Sequence, residues 1–198
     1  EKDGWPAEAV VAITFDDPVG SNRLHAREVG RAVEALREAT GAPAVDIVAH
    51  SMGGLAVRRY LADGGEGVRR VAFLGTPHHG TYTAWLAWGD GGREMRPGST
   101  FLRELAVDWA GVRTPPALTV RTLIDTHVIP GRSAVLEGAD NRAVCCPSHF
   151  GLRWNGTVYR IARDFLRWSG GPGTADPDAE APGAGAEGPS DSGRDGSR

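Results

Sequence analysis

The chain has 198 residues, a formal net charge of −3 and 40% hydrophobic residues, which is enough apolar material for the core of one domain. A charge so near balance, with no basic cluster interleaved with aromatics, argues against a nucleic-acid binder. No apolar stretch approaches the ~20 residues that a membrane-crossing helix needs, and no internal repeat is present.

In chain order, the first strand is expected over Ala9 to Phe15, an apolar, β-branched run. Ser21 or Asn22 can cap a helix that runs to Thr40, with Leu24, Val29, Val33 and Leu36 as its apolar stripe and Gly41 closing it. A second run of strand length, Val45 to Ala49, leads into Ala49-His-Ser51-Met-Gly53, and a helical pattern from Met52 to Ala62 follows at once. That layout is a nucleophile elbow, G-x-S-x-G with alanine in the first glycine's place. A serine hydroxyl is a poor nucleophile until a base takes its proton, so it must stand clear of the backbone at a sharp strand-to-helix turn. Such a turn has little room two residues either side of the serine, hence Ala49 and Gly53. The next helix points N–H groups and its positive dipole end at the place where an oxyanion would form, with Met52 N–H as the first donor. A small-residue turn would show the same residues, but the strand before and the helix after are what the motif demands, and Ser51 is read as the nucleophile.

Val68 to Gly75 reads as the next strand. Between Thr76 and Pro116 the pattern is least regular and carries Tyr82, Trp85, Leu86, Trp88, Phe101, Leu102, Leu105 and Trp109. These side chains either line an acyl pocket or lipid-facing cap, or pack the segment onto the domain. Residues 117–124 form a strand candidate, and Asp125 follows directly. A short run from Arg142 to Cys146 then leads through Pro147-Ser148 to His149. In hydrolases built on this elbow the partners come in the order serine, acid, histidine, each in a loop after a strand. Asp125 and His149 meet that order, with Asp140 and Asp108 as fallback acids. His25 lies on a helix, His50 is the variable elbow position, His127 is two residues past the acid, and His78 and His79 precede it. His78-His79 lacks companions at metal-ligand spacing, so no metal and no other cofactor is expected. Adjacent Cys145 and Cys146 read as two small residues at a buried strand end rather than as a bonded pair. Asn155 can cap a last helix through Trp168. Residues 169–198 hold no Val, Ile, Leu, Met or aromatic residue and are expected to be a disordered tail.

The run Val45-Asp-Ile-Val-Ala-His-Ser-Met-Gly-Gly54 closely resembles small bacterial lipases of the class 2 triacylglycerol lipase family, and Leu74-Gly-Thr-Pro-His-His-Gly80 and Met95-Arg-Pro-Gly-Ser-Thr-Phe-Leu102 resemble segments of its actinobacterial members. The resemblance runs from about residue 3 to residue 168. It implies an α/β-hydrolase: a mostly parallel, doubly wound sheet with helices on both faces. It also implies a secreted, monomeric, metal-independent enzyme for acylglycerols or short esters. In that family a strand ending in His-Gly precedes the region matched by Gly4-Trp5, and its loop supplies one of two oxyanion-hole N–H groups. Nothing in this sequence corresponds to it, so the chain is expected to be an N-terminally truncated form of such a protein.

The residues together point to a carboxylic ester hydrolase in which His149 deprotonates Ser51, Asp125 holds the imidazole and Met52 N–H binds the oxyanion. The same triad could pass the acyl group to an alcohol, making an acyltransferase. A domain that binds lipid or a partner through the aromatic segment, without catalysis, is the third reading.

Overall fold

The structure, a computed structural model, describes residues 4–111 and 114–167. The expected tail over 169–198 and the end of the last helix at Trp168 lie outside them.

Four parallel strands make the sheet in the order β1 (Val45–His50), β2 (Val68–Leu74), β3 (Ala117–Thr122), β4 (Asp140–Val144). Helix α1 (Asn22–Thr40) precedes β1, α2 (Gly53–Ala62) joins β1 to β2, α3 (Gly89–Glu94) and α4 (Thr100–Gly111) lie between β2 and β3, and α5 (Gly156–Arg167) follows β4. Consecutive side chains on a strand point to opposite faces. Val71 and Phe73 of β2 accordingly enter one core with Val29 and Val33 of α1 and Ala56, Val57 and Leu61 of α2. Ala72 and Leu74 enter a second core with Leu118 and Val120 of β3 and Val158 and Ala162 of α5. Helices therefore cover both faces, and β2 is apolar along most of its length because it is buried twice over.

Ser21 caps α1 as expected: its hydroxyl accepts the Arg23 N–H, and Gly41 closes the helix in the left-handed conformation at φ 68°. The Glu94 carboxylate on α3 accepts the Ser21 hydroxyl and both the Asn22 N–H and side-chain amide, fixing the start of α1 to the segment after β2. The stripe of α1 is shifted from expectation. Asn22, His25, Ala26, Val29 and Val33 are buried, whereas Leu24 is exposed, five residues and so about 140° round the helix from Val29. On α2, Arg59 pairs with Asp63 and, at 2.6 Å, with Asp108 of α4.

Two expectations are corrected. Residues 10–15 are not a strand: Ala7–Ala9 form a 3₁₀ turn, and Val10, Val11 and Ile13 then run exposed with no ladder partner. An extended segment becomes a strand only when a neighbour takes up its N–H and C=O groups. β1 is the edge of the four-stranded sheet, and no strand pairs with its outer side among the described residues. Cys145 and Cys146 do not sit in a buried strand end, because β4 stops at Val144. They are exposed and joined to each other by a disulfide.

Leu118 is fully buried in the core on the α5 face, with Ala72 and Leu74 of β2 and Val158 and Ala162 of α5. Leu118→Ala is expected to lower unfolding stability by about 2–5 kcal/mol, whereas Val48→Thr on the open face of β1 should stay within about 0.5 kcal/mol. Urea unfolding midpoints of the two variants check both.

Candidate active site

β1 delivers Ser51. Its N–H donates to Leu74 O of β2 at 2.8 Å, its carbonyl accepts the Gly54 N–H at 3.1 Å, and between these bonds the backbone turns through φ 55°. Among the described residues no other non-glycine takes a positive φ. Left-handed backbone at a serine is sparsely populated and persists only where neighbours over-determine it. The tight position beside it is not the one the motif suggests. A Cβ at Gly53 would meet only the Phe15 ring, at 3.9 Å, whereas at Gly54 it would run into the side chains of Thr76 and Phe73. Gly54 is what lets α2 start against the end of β2.

β3 delivers Asp125 after the turn through Leu123 and Ile124, and β4 delivers His149 through Pro147-Ser148. The Thr122 hydroxyl donates to Pro147 O at 2.6 Å, so the last residue of β3 holds the histidine loop directly. His149 begins a 3₁₀ turn (Phe150–Arg153) whose buried Leu152 anchors it in the core.

The residues singled out in the sequence meet here. His149 Nε2 lies 2.9 Å from Ser51 Oγ, and its Nδ1 lies 2.9 Å from Asp125 Oδ2. Both the imidazole and the carboxylate are 2% exposed. Asp125 Oδ1 accepts the N–H groups of His127 and Val128, each at 2.8 Å. Burial by itself would raise the Asp125 pKa, but the His149 hydrogen bond and those two N–H donors outweigh it and hold the carboxyl below its ordinary range. With both oxygens bound, the carboxylate can hold only the Nδ1–H tautomer, which leaves Nε2 with a lone pair facing the serine.

The fallback acids are occupied elsewhere, Asp140 by Arg142 and Asp108 by Arg59. His25 stacks on Phe15 and bonds Asp17 O, His78 is buried against Phe73, and His79 is exposed. Among the described residues no three His, Cys, Asp or Glu side chains cluster as a metal site would require.

Sequence reading missed three neighbours. At Gly75 (φ 59°) a Cβ would press 3.2 Å from the His149 ring and 2.9 Å from Leu152. A glycine directly after a strand can signal such close approach. His50 lies with its ring 4.8 Å from that of His149 and its Nε2 3.0 Å from His149 O. His127 stacks on His149. Neither histidine contact has a sequence signal, since each pairs residues far apart or on a loop of unspecified path.

Beyond Ser51, an open groove of about 630 Å³ extends along β1 and is walled by Ile13, Phe15, Val29, Val48 and Met52 among others. The aromatic segment divides in two. Phe101, Leu102 and Leu105 of α4 pack on Leu55, whereas Tyr82, Trp85, Leu86 and Trp88 are exposed. The exposed half is stitched to the Asp125 loop, with Tyr82 N–H donating to Ile129 O and the Thr81 hydroxyl to His127 O. Exposed Phe150, which meets the His149 ring edge-on, and exposed Trp154 follow His149 under the Arg153 guanidinium, and Arg96 covers Trp85.

A family model described as the α/β hydrolase fold matches residues 9–91. Among solved structures, the chain is similar to Aspergillus fumigatus lipase B (19% identity, TM-score 0.68, over 77% of this chain and 43% of that one) and to the mature form of the Bacillus licheniformis lipase BlEst2 (17%, 0.66, 76% of each). It is also similar to the haloalkane dehalogenase DatA of Agrobacterium tumefaciens (13%, 0.50, 71% and 72%). The chain thus spans less than half the length of the fungal lipase. These likenesses and the sheet define the fold as α/β-hydrolase. That a dehalogenase shares it shows why the activity has to be argued from the site.

Burial of His50 lowers its pKa from 6.5 to about 4, so it is neutral in the folded chain at pH 7. The unfolded chain therefore binds the extra proton first as pH falls, and the folded state loses stability between about pH 6.5 and 4. His50→Gln keeps an N–H donor for His149 O. It should shallow the loss of Tm over that window, measured by thermal melts at half-unit pH steps.

Proposed function

We propose that this chain is a serine hydrolase for carboxylic esters, of the lipase or esterase kind, with Ser51 as nucleophile, His149 as base and Asp125 as its orienting acid. The observation that carries this reading is the pair of 2.9 Å hydrogen bonds that joins the three side chains at a serine held in left-handed backbone. In the first half, His149 Nε2 takes the Ser51 proton as Oγ bonds to the carbonyl carbon. The oxyanion so formed is stabilised by Met52 N–H and the start of α2. Collapse breaks the ester C–O bond, and His149 returns the proton to the departing alcohol. In the second half, water attacks the acyl-serine with His149 again as base, releasing the carboxylic acid and restoring Ser51. Asp125 stays ionised throughout and faces the imidazolium that forms twice per turnover.

Acylglycerols or other lipid esters are the favoured substrates, because exposed large apolar side chains stand on the segments next to the Asp125 and His149 loops. Tyr82, Trp85, Leu86 and Trp88 are on the segment after β2 that is hydrogen-bonded to the Asp125 loop, and Phe150 and Trp154 follow His149 in the chain. Tyr and Trp combine an apolar body with a polar tip, which suits a lipid–water boundary. The lipases among the similar folds agree with this reading.

Labelling by a fluorophosphonate probe tests it. The 198-residue chain should be labelled, Ser51→Ala should not, and Asp125→Asn should lower kcat on a p-nitrophenyl ester on the order of 10⁴-fold with its fold intact by circular dichroism. Ester product formed in preference to free acid when dilute alcohol is added would mark an acyltransferase. A folded chain that resists the probe would leave lipid or partner binding as the role.

A further inference from the structure

The catalytic imidazole is the middle of three. His127 lies nearly parallel to His149, with ring centroids 4.9 Å apart and planes 19° apart, and His50 lies 4.8 Å away at 50°. His50 is engaged through its Nε2 with the His149 carbonyl. His127 is exposed, yet its main chain is held at both ends: its N–H donates to Asp125 Oδ1 at 2.8 Å, and its carbonyl accepts the hydroxyls of Thr81, at 2.7 Å, and Thr83. Phe150 meets its ring edge-on at 4.8 Å. One residue thus touches the acid through its backbone and the base through its ring, and is fixed in place by the segment after β2.

We infer that His127 is a positioning residue: its ring face holds the plane of the His149 imidazole between Ser51 and Asp125 and stabilises that imidazole when it carries a proton. The inference rests on the proposed hydrolase reading. Both transition states of that reaction place a positive charge on His149, and the face of an aromatic ring stacked on a cation attracts it. The backbone bond to Asp125 adds nothing to this, because any residue but proline at 127 would supply it. The ring alone is tested by substitution. The charged and titratable groups around the stack are Asp125, His50 and, beyond His50, Arg153. All three remain when residue 127 changes.

Three forms of the full chain decide the matter: wild type, His127→Ala and His127→Phe, each followed by ¹⁵N-imidazole NMR titration of His149, by turnover of a p-nitrophenyl ester and by fluorophosphonate labelling. Removing the ring should lower kcat about tenfold with little change in KM and move the His149 titration to lower pH, while phenylalanine, which keeps the face, restores both. A role confined to local packing would alter melting temperature but leave the His149 titration in place. An unchanged titration and kcat in His127→Ala, or a Phe variant no better than Ala, overturns the inference. If the titration moves as expected but wild type neither turns over nor takes the probe, the hydrolase reading falls and the catalytic role of His127 with it, while the ring contact stands measured.

Discussion

The backbone of Ser51 is the constraint on which the site depends. At φ 55° it costs on the order of 1–3 kcal/mol relative to relaxed strand or helix, and the residue stays there because both of its neighbours are already committed. The strand behind it is in register with β2 up to the His50–Leu74 pair, so its N–H has Leu74 O to bind. The helix ahead of it has to begin within three residues, because Gly54 already touches Thr76 and Phe73. A strand that continued straight would bury the hydroxyl in the sheet, and a helix that began later would carry it away from the edge.

The parallel register extends the same logic to the partners. Leu74 pairs with Val120 and Thr122 with Val144, so the strands end nearly in step and their loops leave from one edge. Adjacent strands are about 4.8 Å apart, which puts β1 and β3 roughly 10 Å from each other. An imidazole can bridge that span only by lying over the end of β2. Directly after β2 comes Gly75, where a side chain would occupy the space of the His149 ring. The histidine arrives from β4, on the far side of β3, and is steered back over β2 by the Thr122–Pro147 bond and the buried Leu152. Burial of the Asp125 carboxylate is then tolerable, because the imidazole and two N–H groups satisfy it.

These features explain what could be read from the residues alone. The elbow, Asp125 and His149 were legible because each is announced locally: an apolar run of strand length, then a break, then a residue with a chemical reason to stand there. The limits of β1, β2 and α2 followed from the same runs to within a residue or so. What failed depended on neighbours that sequence does not name. Val10, Val11 and Ile13 have strand composition, but composition cannot supply a partner strand. Leu24 looked like part of an apolar stripe until the helix phase was fixed by His25, Val29 and Val33. Gly53 carried the motif, yet the close contact falls one residue on. The stacking of His127 on His149 joins residues 22 apart on two loops whose paths only the fold decides.

The open side of β1 sets the remaining question about the chemistry. An edge strand presents a row of unpaired N–H and C=O groups, and here that row faces the groove that reaches Ser51. Val48 on β1 and Val11 and Ile13 across the groove are apolar and exposed, so this side of the site is lined for contact rather than for water. In the proposed reaction, the oxyanion donors on the side of α2 are Met52 N–H and the helix start. α3 packs against the Met52 side chain, and His149 fills the space above Gly75. The outer edge of β1, which borders the groove that reaches Ser51, is one side from which a second donor for the proposed oxyanion can approach. Because one such donor is worth on the order of 10²–10³ in kcat, the rate of the proposed hydrolase depends on what lies along that edge as well as on Ser51, His149 and Asp125.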